Sequence, residues 1–238
     1  MTATGGCLYL IPTPIGNLDD ITRRALETLE KVDLVACEDT RVSGRLLKHF
    51  DIGKKLVSYH DFNENRRAGE LLEILKGGGS IGVITDAGAP GISDPAYRIV
   101  RAALENDITV IALPGPTALI PALTASGLPT DRFFFEGFLP NKSGGRSKRL
   151  EEIKTFEHTL IFYESPHRIH KTLATIKETL GDRRACLARE ISKKFEEYIR
   201  GNISEILARI EGKNVKGEIV LVVAGHTAEK VKKSKYEN

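Results

Sequence analysis

Short apolar segments alternate with helix-like segments through the first half of the chain. The apolar segments carry no alternating polar residues, which is typical of strands covered on both faces. They are CLYLI (7–11), LVAC (34–37), LVSY (56–59), SIGVIT (80–85) and TVIAL (109–113). Apolar residues at helical spacing predict helices near 21–32, 41–49, 64–76 and 95–105. This alternation predicts a mostly parallel sheet with helices on both faces.

The second half has a different rhythm. Further strands are predicted in FFFEGFL, HTLIFYE, ACLARE, EEYIRG and EIVLVVA, with helices near 146–156, 168–180 and 203–211. The segment EISKKFEEYIRG joins two strands without a helix, so part of this sheet should be antiparallel. We predict a two-domain α/β protein with an N-terminal domain (1–118), a C-terminal domain (119–225) and a disordered basic tail (226–238).

Composition limits the class of protein. No apolar run in the 238 residues approaches the roughly 18 that span a bilayer, and the N-terminus lacks the basic region of a signal peptide. Three widely spaced cysteines indicate neither a disulfide framework nor a zinc site. We therefore expect a cytoplasmic protein without metal. The net charge of +3 argues neither for nor against nucleic acid.

The loop TDAGAPGISDP follows the fourth strand. In open α/β sheets, ligands bind beyond the carboxyl ends of the strands. Asp86 stands at the strand end, and Gly88 and Gly91 let backbone N–H groups face a ligand. Asp94-Pro95 predicts an N-cap followed by proline at the first helical position. The loop therefore predicts one wall of a small-molecule site.

Three other loops have similar features. PTPIGN follows the first strand, with Asp19 or Asp20 as a candidate helix cap, and PGPTA follows the fifth. In FYESPHRI, Ser165 is a candidate N-cap. The chain has no GxxxxGK[ST], HExxH or GxSxG motif, and KGGGSIG precedes a strand rather than following one. These facts disfavour P-loop NTPases, zinc proteases, serine hydrolases and NAD oxidoreductases.

Taken in order, these loops resemble those of the tetrapyrrole-methylase superfamily, and within it those of its 16S rRNA cytidine 2′-O-methyltransferases. The resemblance extends from residue 7 to about residue 225. It rests on the segments PTPIGNLDDITRRAL, ACEDTR, TDAGAPGISDP, LPGPTA, FEGFLP, FYESPHRI, ARE, KKFEE and GEIVLVV.

The resemblance implies a non-Rossmann methyltransferase fold that forms a homodimer and binds S-adenosylmethionine between its domains. It implies 2′-O-methylation of a cytidine ribose in the decoding region of 16S rRNA, within the small ribosomal subunit. By the family pattern, the cofactor would be held by Leu10, Asp86, Ala89, Ile92, Thr117, Ala118, Tyr163 and Ala188.

A ribose hydroxyl must lose its proton to react. The candidates for this step are Glu38, Asp39, His60 and Lys193, and the sequence does not choose among them. Glu38 and Asp39 are equally compatible with a helix cap, and His60 with an ordinary surface histidine.

A basic cluster surrounds Gly144-Gly145. We expect it to form a mobile loop whose cations meet RNA phosphates, with Arg41, Arg45, Arg66 and Arg67 as second candidates. The predicted RNA contacts are Lys142, Arg146, Lys148 and Arg149. Two alternative functions stay open: methylation of a corrin or porphyrin-type small molecule, and a non-catalytic module that binds S-adenosylmethionine.

Overall fold

The computed structural model describes residues 5–227. They form two compact units. Unit 1 holds the residues up to Ala118 together with Ile191–Lys194, and unit 2 holds Leu119–Glu190 and the residues from Phe195 onward. Except for its first two residues, the predicted basic tail (226–238) lies outside the described part. No helix within residues 5–227 is long and apolar enough to cross a membrane.

Unit 1 contains a five-stranded sheet in the order β3-β2-β4-β1-β5, in which every pair of neighbours is parallel. The predicted parallel sheet is confirmed, and its carboxyl ends share one edge. Its strands are β1 (Cys7–Leu10), β2 (Leu34–Cys37), β3 (Leu56–Ser58), β4 (Ser80–Ile84) and β5 (Thr109–Ala112).

Helices cover both faces of this sheet. They are α1 (Arg23–Lys31), α2 (Thr40–His49), α3 (Glu64–Lys76) and α4 (Tyr97–Leu104). Leu29 and Leu47 place α1 and α2 in one apolar core, whereas Leu71 and Ile99 place α3 and α4 in another. Burying one apolar stripe per helix is what holds each helix against the strands.

Unit 2 contains a five-stranded mixed sheet in the order β6-β7-β10-β8-β9. Only β6 and β7 pair in parallel within it; the other neighbours are antiparallel, as the helix-free junction between β8 and β9 predicts. Its strands are β6 (Phe133–Phe138), β7 (Thr159–Glu164), β8 (Arg184–Arg189), β9 (Glu197–Asn202) and β10 (Ile219–Val223). Its helices are α5 (Leu119–Ser126), α6 (Ser143–Glu152), α7 (Ile169–Leu180) and α8 (Ile203–Ile210).

Three predicted helix caps were wrong. Asp19 and Asp20 lie in a 3₁₀ turn, and the Thr22 hydroxyl caps α1 by accepting from the Ala25 N–H at 3.0 Å. Helix α4 begins only after Ala96, so Asp94 is not its N-cap.

The Ser165 hydroxyl accepts a hydrogen bond from the His167 N–H at 3.3 Å, and its carbonyl accepts from the N–H groups of Arg168 and Ile169. Ser165 therefore caps a turn, but α7 itself begins only at Ile169. Both Asp94-Pro95 and Ser165-Pro166 lie in the turn that precedes a helix, and neither proline stands at the first helical position.

Candidate active site

The loops after β1 and β4 are joined at the carboxyl edge of the unit 1 sheet. The Thr13 N–H donates to the Gly88 carbonyl at 2.9 Å, and the Gly88 N–H donates to the Thr13 carbonyl at 3.0 Å. The buried Thr13 hydroxyl also donates to the Thr85 carbonyl at 3.0 Å. These bonds fix the path of the glycine-rich loop against the proline-rich loop.

The loop after β5 packs against the same assembly. A Cβ atom on Gly115 would lie 2.7 Å from the Cβ of Pro12, so the backbones approach as closely as glycine permits. A Cβ atom on Gly88, which has φ 91°, would lie 3.5 Å from the Ile15 Cγ2 and 3.9 Å from the Pro116 carbonyl oxygen. Three separate strand-end loops therefore form one rim.

The predicted cofactor residues fall into two groups. In unit 1 they all lie on or beside this rim: at the end of β1, in the loop after β4 and in the loop after β5. These are Leu10, Asp86, Ala89, Ile92, Thr117 and Ala118.

In unit 2, Tyr163 and Ala188 lie on strands that flank β10, where both are paired in register with Val220. The Tyr163 ring contacts Phe135 and Phe138 edge-on, and Ala188 is fully buried. That these eight residues bind the cofactor stays a prediction.

Four carboxylates gather near the ends of the unit 1 strands. These strand-end carboxylates are Glu38 after β2, Asp61 after β3, Asp86 after β4, and Asp94 further along the loop of Asp86. Burial, followed by repulsion from Asp86 and Asp61, raises the pKa of Glu38. Burial, followed by repulsion from Glu38, Asp86 and Asp61, raises the pKa of Asp94 to about 7.

Asp86 is tied to the next strand end. Its Oδ1 accepts a hydrogen bond from the Asp39 N–H at 3.2 Å, and burial raises its pKa. The position of Asp94 in this group could not be predicted, because Asp-Pro after a glycine-rich loop resembles a helix cap. Among residues 5–227, no group of three or more His, Cys, Asp or Glu side chains is arranged to hold a metal ion.

Asp39 has a different role from Glu38. It is the N-cap of α2 and accepts from the Arg41 N–H at 2.8 Å. The Arg41 guanidinium also binds both carboxylate oxygens, at 3.1 and 2.7 Å, and these bonds lower the pKa of Asp39. A carboxylate stabilised in this way is a weak base.

His60 is held by Asn63. The Asn63 Oδ1 accepts from the His60 backbone N–H at 2.9 Å, and its Nδ2 donates to the Ser58 carbonyl at 3.2 Å, which fixes the amide orientation. The same Nδ2 lies 3.2 Å from His60 Nε2. Because an amide nitrogen only donates, Nε2 is the acceptor in this contact, and Nδ1 is buried without a hydrogen-bond partner among residues 5–227. The lone pair that His60 would use as a base is therefore occupied.

Lys193 belongs to unit 1 through the segment Ile191–Lys194. Its side chain covers Gly16 of the loop after β1, where a Cβ atom would collide with it. The neighbouring Ser192 hydroxyl donates to Asp20. The structure thus brings Lys193 to the same proline-rich loop, although they are far apart in sequence.

Three of the four predicted basic RNA contacts lie in α6, and the fourth, Lys142, is the N-cap residue of that helix, so they do not form a mobile loop. Arg146 is only 5% exposed, and it donates to Thr175 Oγ1 at 3.2 Å and to the Asn141 carbonyl at 3.4 Å. Arg149 binds both oxygens of Glu136, at 2.7 and 2.8 Å. Two of the four cations therefore support unit 2, and Lys142 and Lys148 are exposed.

Known proteins resemble this chain in sequence and in fold. The family model described as Tetrapyrrole (Corrin/Porphyrin) Methylases matches residues 7–207. The chain belongs to the tetrapyrrole methylase family. A solved structure of uroporphyrin-III-C-methyltransferase from Thermus thermophilus shares the fold, with a TM-score of 0.64 and 20% identity over 92% of this chain and 94% of that one.

Two relatives within the family are more similar in sequence. Both are named ribosomal RNA small subunit methyltransferase I. The one from Streptococcus pyogenes serotype M3 is 50% identical over 93% of this chain and 77% of its own length. The one from Escherichia coli O157:H7 is 51% identical over 94% of this chain and 79% of its own length.

Proposed function

We propose that this protein transfers a methyl group from S-adenosylmethionine to the 2′-oxygen of a cytidine ribose in 16S rRNA, within the small ribosomal subunit. The names of the relatives support methylation of small-subunit rRNA. The observation that carries the proposal is the rim in unit 1, where three fixed loops meet Glu38, Asp86 and Asp94, whose pKa values are raised. A rim of this kind can orient a donor and remove a proton at the same edge of the sheet.

The unit 1 rim fits the cofactor. Within residues 5–227, the backbone N–H groups of Ala87, Ala89 and Gly91 make no hydrogen bond, so they can meet the carboxylate of a methionine moiety. The Asp86 carboxylate attracts positive charge, whereas Leu10 and Ile92 offer apolar surface. When bound, the cofactor supplies an electrophilic methyl group on a cationic sulfur. Thr117, Ala118, Tyr163 and Ala188 would complete the clamp.

Glu38 is the best candidate for the base. Asp39 is neutralised by Arg41, and the Nε2 of His60 accepts from Asn63. Glu38 is half-buried beside Asp86, and no lysine or arginine of the described residues pairs with it. A raised pKa brings a carboxylate closer to the working pH, which favours general-base catalysis. We propose Lys193 as a positioning residue for the RNA beside the loop after β1.

We also propose RNA contacts, an oligomeric state and a location for the protein. Lys142 and Lys148 are proposed to contact RNA phosphates, because both are exposed on unit 2. The family resemblance favours a homodimer. Because the proposed substrate is ribosomal, we place the protein in the cytoplasm.

The test uses small ribosomal subunits that lack the modification, with labelled S-adenosylmethionine. Nuclease digestion and mass spectrometry would locate the label on a cytidine 2′-oxygen. A methyl group on a base, or none on RNA, contradicts the proposal, and cofactor binding without turnover would indicate a binding module. Calorimetry should show that Asp86→Ala abolishes cofactor binding, whereas Asp131→Ala, which removes an exposed carboxylate of unit 2, leaves it unchanged.

A further inference from the structure

A cavity of about 340 Å³ opens at the carboxyl edge of the unit 1 sheet. It lies between α2 and the proline-rich loop after β1, with Pro14 on one side, Leu46 on the other, and Asp86 at the strand end. Its volume is in the range of small-ligand sites. Two other cavities of unit 1 lie elsewhere: one beside Gly53 and Leu56, the other beside Tyr9 and Ser80.

The helix beside this cavity is basic. Helix α2 (TRVSGRLLKH) contains no Asp or Glu, and Arg45 and Lys48 are exposed. Neither side chain has an ion-pair partner among residues 5–227, whereas Arg41 is bound to Asp39. Arg45 and His49 line the cavity itself. Lys48 lies further along α2, where it lines the cavity beside Gly53 and Leu56. One cation at the mouth, a second further along the helix and a carboxylate at the strand end match a strand of nucleic acid with phosphates outside and a hydroxyl inside.

A buried hydroxyl group in the cavity wall is also poorly satisfied. Ser43 is 1% exposed, and its Oγ has no nitrogen or oxygen hydrogen-bond partner in the described residues, where it faces the Cys37 thiol, a weak acceptor. An unsatisfied buried hydroxyl costs free energy, so such a group often indicates a ligand or a water molecule. Thr13 and Thr85, which also line the cavity, already donate their hydroxyl protons to carbonyl groups.

We infer that this cavity, which we call the α2 pocket, binds the acceptor nucleotide of the RNA, and that Arg45 and Lys48 hold its flanking phosphates. The inference rests on the proposed function. Asp86 and Thr85 belong both to the α2 pocket and to the loop proposed to hold the cofactor. A nucleotide in the α2 pocket would therefore have its ribose beside the methyl donor. The RNA would then run along α2.

The first experiment removes the two free cations. The double variant Arg45→Ala with Lys48→Ala keeps good helix formers in α2. Loss of charge-assisted contacts should lower kcat/KM for methyl transfer to small subunits by about 10-fold or more. The salt dependence should weaken by roughly 0.7–0.9 in log–log slope for each lost contact. The matched control, Lys171→Ala with Lys177→Ala in α7, should behave as wild type.

The second experiment fills the α2 pocket. Leu46→Trp adds a bulky ring there, and because the chain contains no tryptophan, its fluorescence also shows whether the variant is folded. Methyl transfer should fall at least as far as in the double variant, while cofactor affinity measured by calorimetry stays at the wild-type value. Leu104→Trp, at an exposed position of α4, is the control for bulk.

The outcomes separate the two proposals. If wild type methylates rRNA but the double variant keeps its kcat/KM, the α2 pocket is not the acceptor site and the proposed function stands. If Leu46→Trp loses cofactor binding and turnover together, the pocket belongs to the cofactor and the inference is overturned. If Leu46→Trp fails to fold, the double variant alone decides. If wild type methylates no RNA, both proposals fail.

Discussion

Charged side chains are arranged in opposite ways at the carboxyl edge of unit 1 and around α6 and α7 in unit 2. In unit 2, Arg149 binds Glu136, and the fully buried Glu164 accepts from Arg168 at 2.6 Å. In unit 1, Glu38, Asp86 and Asp94 have no lysine or arginine partner among the described residues. Arg45 and Lys48 of α2 have no acidic partner there either.

This difference separates charges that support the fold from charges available for chemistry. A paired charge has its desolvation offset by its partner, and its pKa moves away from neutral pH. A half-buried carboxylate among other carboxylates has its pKa raised toward neutral pH, which suits proton transfer. Unpaired cations on an exposed helix are free to meet phosphates.

The largest expected effect is on catalysis at Glu38. Glu38→Gln keeps the shape of the side chain but removes the base, so kcat should fall by roughly 10²–10⁴-fold. Cofactor affinity should not change. Single-turnover methyl transfer to small subunits measures this step. Wild-type turnover in Glu38→Gln would show that the unpaired carboxylate is not the base. Asp39→Ala, which loses the side-chain cap of α2, tests whether a stability loss alone lowers the rate.

The next effect is on stability at Arg149. Arg149→Ala leaves Glu136, whose side chain is 10% exposed, without its bidentate partner. The free energy of unfolding should fall by about 2–3 kcal/mol, less than for a fully buried pair because Arg149 is partly exposed. Urea denaturation measures it. The control is Lys148→Ala, at an exposed position one residue earlier, which should change the free energy of unfolding by less than about 0.5 kcal/mol. Equal losses in the two variants would contradict the difference between paired and unpaired charges.

The smallest expected effect is on the pH dependence of stability at Asp94. Its folded pKa, about 7, lies above its value in an unfolded chain, so the folded state binds more protons. The stabilisation from this proton uptake is complete below about pH 4 and is lost as the pH rises through about 7.

Asp94→Asn should therefore raise the free energy of unfolding at pH 8 by about 1–2 kcal/mol, with partial exposure limiting the gain, and change it little at pH 4. Denaturation at both pH values measures this. Asp131→Asn should show no such difference. A uniform loss of stability at both pH values would mean that Asp94 is held by favourable contacts rather than repelled by Glu38.

Several features of the molecule could be predicted from sequence because they depend on local interactions. The order of strands and helices follows from apolar periodicity, as for LVAC and for the helix at residues 64–76. The parallel and mixed sheets follow from how the elements are connected. That the loops after β1, β4 and β5 meet could be predicted, because the carboxyl ends of parallel strands must share an edge. That they bind a ligand stays a prediction.

The partners of the charged groups were decided only by the tertiary structure. The sequences of α6 and α2 are both rich in basic residues. In α6, packing buries Arg146 and pairs Arg149 with the carboxylate of Glu136. In α2, Arg45 has no ion-pair partner among the described residues. Asp94 resembled a helix cap until the fold placed it beside Glu38, which is 56 positions earlier in the chain. Electrostatic interactions depend on distance in space and on burial, and neither is encoded in the spacing of residues along the chain.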